Sequence, residues 1–156
     1  MAPSHQPSWS GTTPLVMVAG LYCGLAVGLG AFGAHGLRGR LTPEDLEIFR
    51  TGVLYQFLQG LALLTVSTLT LVLSRFSDHL MAHSGSAPHT HGGSWAELSG
   101  VLRLWIFACR IWTVAIPLFS GSLYLLVLVG PRSWGAVTPL GGVLFLAGWE
   151  IGRAHV

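Results

Sequence analysis

The sequence predicts an all-α membrane protein, a four-transmembrane-helix bundle with a short interfacial helix in loop one. Three observations predict it. Of 156 residues, 51% are hydrophobic and only 9% are charged, against about 25% in an ordinary soluble domain. Mean hydropathy is +0.62. The eight basic and six acidic side chains avoid four stretches entirely: Pro14–Leu37, Thr51–Leu73, Ile111–Gly130 and Trp134–Trp149. The first three reach the ~20 residues that cross a hydrocarbon core. The fourth has 16, and Trp134 and Trp149 can anchor its two ends at the interfaces.

From the N-terminus, residues 1–13 form a polar tail, and 14–156 form one transmembrane domain. Its spans lie at about 14–37, 51–73, 104–130 and 134–151, with a long polar loop at 74–100. The first span is read as a membrane helix rather than a cleaved signal peptide. The tail before it has no Lys or Arg, and its apolar run exceeds the ~7–15 residues of a signal core. In loop one, Thr42-Pro43-Glu44-Asp45 supplies an N-cap, a Pro at the first helical position and an acid at the third. That predicts the interfacial helix, running directly into span two. Gly130-Pro131 makes loop three a tight turn, whereas 74–100 reads as a linker or insertion rich in Ser, Gly, His and Pro. Arginines divide almost evenly between the two sides, and the pair Arg38/Arg40 tips loop one towards the inside.

Composition also bounds function. A net charge of +2 with no Lys lacks the basic stripe that a nucleic-acid partner requires. Cys23 and Cys109 match no metal or redox spacing and read as small buried hydrophobes. His79, His83, His89 and His91 have ligand-like spacing, but only Asp78 accompanies them in a Ser/Gly/Pro-rich setting, so neither metal nor cofactor is expected. Gly20, Gly24 and Gly28 form a small-residue ladder on span one, repeated by Gly148 and Gly152 on span four. Such faces let helices approach closely in lipid. The ladders read first as packing within the bundle and second as a seat for another subunit's helix.

Polar groups inside spans are costly and are functional candidates by default. Counted by depth, His35, Tyr55, Gln56, Gln59 and Thr138 share the half of the membrane nearest loop one, with Ser120 and Ser122 reaching mid-depth. They read mainly as interhelical hydrogen bonding, and alternatively as a ligand or lipid pocket. No acid lies among them, so no catalytic residue is expected. Arg110 and Glu150 fall at similar depth on the other side and form a candidate ion pair.

The strings Gly30-Ala31-Phe32-Gly33-Ala34-His35-Gly36-Leu37, Tyr55-Gln56, Phe119-Ser120-Gly121-Ser122-Leu123-Tyr124 and Thr138-Pro139-Leu140-Gly141-Gly142, then Phe145 and Gly148-Trp149, occur in that order. They resemble the small four-helix membrane family called domain of unknown function 423. Its bacterial members are inner-membrane proteins, and its animal relative, transmembrane protein 256, looks mitochondrial. The resemblance supports the topology and carries no activity, substrate or cofactor. Two departures stand out: Gln59-Gly60 replaces a His-Ala pair frequent in the family, and the second loop is longer. Together the residues and the resemblance lead to an expected non-catalytic accessory subunit of a respiratory-type complex, with membrane lipids and other membrane subunits as partners. The mitochondrial inner membrane is favoured over the bacterial one. A small transporter or lipid-binding module is the alternative.

Overall fold

The computed structural model of the chain describes residues 11–83 and 92–153. Its elements are α1 (Thr13–His35), α2 (Pro43–His83), α3 (Gly92–Ile116), a π-helical turn (Pro117–Gly121), α4 (Ser122–Val129), a 3-10 turn (Arg132–Ala136) and α5 (Thr138–Arg153). Four helical stretches are long and apolar enough to cross a membrane, the third formed by α3, the π turn and α4 together. Large apolar side chains such as Met17, Leu54, Phe107, Val114 and Leu146 face outward all around the bundle. In water such a surface would aggregate; in a bilayer it is the lipid-facing belt.

The short connections are built as the sequence predicts. Thr42 Oγ1 accepts the Asp45 N–H at 3.1 Å and donates to the Asp45 carboxylate at 2.9 Å, which starts α2. Gly130 ends α4 at a left-handed φ of 95°, a conformation that disfavours any side chain, and Pro131 comes next.

The helix expected in loop one runs directly into span two: its residues are the first turns of α2, which continues unbroken for 41 residues. One expectation changes: 74–100 is not a polar loop. α2 runs on to His83 and α3 begins at Gly92, leaving at most 84–91 between them. No Gly or Pro occurs from Leu61 to Ser84, so charge marks where the hydrocarbon ends without ending the helix. At 1.5 Å per residue α2 is about 60 Å long, twice the hydrocarbon thickness.

α2 is the central helix, touching α1, α3 and α4; α1 also touches α3, and α5 packs mainly on α3. The core runs through Leu15, Ala19, Leu63, Cys109, Trp112, Ala115, Ile116 and Phe145. Cys109 is buried there, and Cys23 is half-buried.

Candidate functional site

One cluster of the bundle's polar groups forms around the π turn, and Pro117 explains why; Ser67 and Thr70 lie apart from it, bonded to the backbone of their own helix. Proline has no N–H to give to the carbonyl four residues earlier, which here belongs to Thr113. That carbonyl accepts the Tyr22 hydroxyl from α1 at 2.8 Å. A membrane helix tolerates proline when a neighbouring helix supplies the missing donor, and Tyr22 does so. The π turn then inserts one extra residue, rotating the rest of the span by about 100°. Ser120, Ser122 and Leu123 are thereby all buried.

Gln56 of α2 is 5% exposed and ties together two other helices. Its Nε2 donates to the Tyr22 carbonyl at 3.0 Å, and its Oε1 accepts from the Tyr124 hydroxyl at 3.0 Å. Gly52, one turn earlier, makes space for the Tyr124 ring, since a Cβ there would lie 2.8 Å from it. Phe49 packs on the same ring at 5.0 Å. Ser122 donates to the Phe119 carbonyl at 2.8 Å and shares a 2.7 Å hydrogen bond with Thr138 at the start of α5. Phe119 lies 4.8 Å from the ring of Tyr55 and 5.4 Å from that of Phe145. The α5 backbone closes on it: a Cβ on Gly141 would stand 2.5 Å from the Phe119 nitrogen. Further along, Gly148 lies directly on the Trp112 indole, whose Nε1 donates to the Phe145 carbonyl at 3.3 Å. Trp149 stacks on Trp112 at 4.8 Å.

The expected pocket is therefore only partly assembled. Gln56, Ser120, Ser122 and Thr138 gather at the turn, with Tyr55 at its outer edge. His35 is exposed at the end of α1 and stands apart, because α1 meets Gln56 at Tyr22 and carries His35 about 20 Å further along. Gln59 is half-buried, and its Oε1, like the Ser120 hydroxyl, is buried without a hydrogen-bond partner among the described residues. Depth counting alone leaves Tyr22, Thr113 and Tyr124 out of the cluster. A tyrosine within an apolar span, and a carbonyl four residues before an in-span proline, are the sequence signals that point to them.

Other candidates resolve differently. Glu150 pairs with Arg153 one turn along α5, not with Arg110; a local partner on the same helix needs no interhelical reach. The Arg110 guanidinium instead lies 3.7 Å from where a Cβ on Gly11 would stand. Gly20, Gly24 and Gly28 do not pack within the bundle: an added Cβ on any of them meets nothing within 4 Å. They occupy the side of α1 opposite Leu15, Ala19, Ala26 and Gly33, which are its buried positions. Gly152 is similarly open, whereas Gly148 is filled. Gly60, in the sequence's Gln59-Gly60 departure, marks where α1 crosses α2, with a Cβ position 3.0 Å from Cys23 Sγ. Among the described residues no group of three His, Cys, Asp or Glu could hold a metal. His89 and His91, and the His83 side chain, lie outside the described residues.

The description "Protein of unknown function (DUF423)" matches residues 29–142, spanning the α1 motif, the π turn and the start of α5. The chain belongs to the DUF423 family. It is 39% identical over 125 residues to the UPF0382 membrane protein YwdK of Bacillus subtilis, covering 80% of each chain. It is 31% identical over 134 residues to the UPF0382 membrane protein SAB0533 of Staphylococcus aureus, covering 86% of this chain and 87% of that one. A UPF0382 membrane protein of Haemophilus influenzae is 33% identical over 135 residues, covering 86% of this chain and 84% of the relative. No solved structure matches. These DUF423 relatives are bacterial membrane proteins, so the mitochondrial reading draws no support from them. Integral membrane residence is common to the chain's four apolar helices and to its relatives.

Proposed function

We propose that this DUF423 protein is a non-catalytic accessory subunit that packs into a larger complex of a bacterial-type inner membrane. The observation that carries the reading is the open glycine face of α1. Gly20, Gly24 and Gly28 have no neighbour within 4 Å of an added Cβ, on a helix whose buried residues lie on the other side. In lipid, close backbone approach at small residues supplies the contact that draws helices together, and this face matches a helix from another subunit. The polar groups at the π turn support the reading too. Gln56, Tyr22, Tyr124, Ser122 and Thr138 direct their hydrogen bonds to joining helices. The partners proposed are other membrane-protein subunits and the surrounding lipids, and no nucleic-acid partner enters the proposal.

Mild-detergent native electrophoresis of the tagged chain, combined with mass spectrometry, tests it. The expected result is migration with other membrane proteins in a large particle, and release of the chain by Gly24→Leu. Migration only as a small particle, in wild type and variant alike, sinks the subunit reading.

A further inference from the structure

Between α1 and α2, on the outer face of the bundle, lies a groove of about 320 Å³ lined by Gly30, Gly33, Phe49, Val53 and Phe57, with Arg50 at one end. Its walls are otherwise hydrocarbon. The two glycines open it on the α1 side: a Cβ on Gly30 would already touch Val53 at 3.5 Å. Phe49 forms its floor and is fully buried. Phe57 is seven positions after Arg50, so the groove extends about 10 Å along α2.

Its direction is informative. α2 enters the membrane from the loop-one side, and the charge-free run begins at Thr51, directly after Arg50. The groove thus starts where charge stops and continues towards the membrane interior. A cation at the interfacial end of an apolar slot complements an amphiphile with an anionic head and a hydrocarbon tail. The Arg50 guanidinium is available for it. Its contact with Glu47 is 4.0 Å long, and both side chains are well exposed, an arrangement that contributes little. Arginine can give two parallel N–H bonds to a phosphate. The slot is too short for a partner helix, which needs contact over several turns.

We propose that this groove holds one acyl chain of a glycerophospholipid whose phosphodiester is bound by Arg50. The site is separate from the polar cluster at the π turn and from the glycine face of α1.

Native mass spectrometry of the delipidated full chain in detergent, titrated with dioleoyl phosphatidylglycerol, tests the assignment. The expected result is one retained phospholipid on a single chain, and a thermal midpoint raised by the lipid. Arg50→Gln weakens binding roughly tenfold, as loss of a charged hydrogen bond does, while the loop substitution Arg40→Gln leaves it unchanged. Gly30→Leu fills the slot and abolishes retention, and Val53→Trp does so from the α2 side should the first variant fold poorly. Dioleoylglycerol, with the same chains and no phosphate, binds at least tenfold more weakly than the phospholipid. Equal binding of the two lipids overturns the role of Arg50. Undiminished retention in both filled variants overturns the groove, and so does a two-chain species that excludes lipid.

Discussion

Gly141 and Gly148 on α5 and Gly20, Gly24 and Gly28 on α1 place one residue type in opposite surroundings. On α5 the missing side chain is what allows contact: Phe119 backbone and the Trp112 indole occupy the space a Cβ would take. On α1 the same absence meets open space. Glycine destabilises a helix by roughly 1 kcal/mol relative to alanine. On α5 close packing of the third and fourth spans offsets that loss within the chain. On α1 nothing inside the chain offsets it, which is why the outer face reads as a seat for something else. Spacing along the sequence does not distinguish the two cases; only the neighbouring helix does.

The largest expected effect sharpens this contrast. Gly141→Ala forces a methyl group against backbone and costs about 1–3 kcal/mol, the usual range for overpacking. Gly24→Ala costs nothing and gains up to about 1 kcal/mol of helix propensity in the isolated chain. Reversible unfolding in mixed micelles, monitored by circular dichroism, measures both; equal losses would break the comparison.

Next comes the proline. Tyr22→Phe removes the donor to Thr113 and costs between about 0.6 and 1.7 kcal/mol, the average and the maximum measured for hydrogen bonds between membrane helices. In a Pro117→Ala background the backbone N–H is restored, so the tyrosine hydroxyl loses most of its contribution. A double-mutant cycle reads that coupling directly, and additive losses would reject the link between the two residues. A smaller coupling, about 0.6 kcal/mol, is expected between Gln56→Leu and Tyr124→Phe in the same assay. The smallest effect belongs to the charged residues of α3 and α5. Arg110→Ala and Glu150→Ala are expected to add without coupling, since Glu150 is engaged with Arg153; a positive coupling would restore the interhelical pair.

Much of the fold is legible in the sequence because it rests on local chemistry. The Thr42–Asp45 cap and the Gly130-Pro131 turn form as their residues predict. The length of α2 is not legible from charge. Arg75 and Asp78 mark a change of solvent, and a helix with no Gly or Pro after Gly60 continues through it. The site is half legible. Gln56, Ser122 and Thr138 stand out as polar groups in apolar spans, while His35 lies well beyond Tyr22, the residue at which α1 meets Gln56. Tyr22 escapes a reading of its own span because its role depends on Pro117, which lies on another helix and far along the chain.

By itself the sequence determined membrane residence, four spans and the caps between them. Transfer free energy is summed residue by residue, and caps are settled within a few positions. The tertiary structure alone decided which glycines have neighbours, which helix donates to Thr113, and where the groove beside Arg50 opens. Those outcomes depend on how helices distant in sequence cross, and on the rotation that one extra residue in the π turn imposes on everything after it.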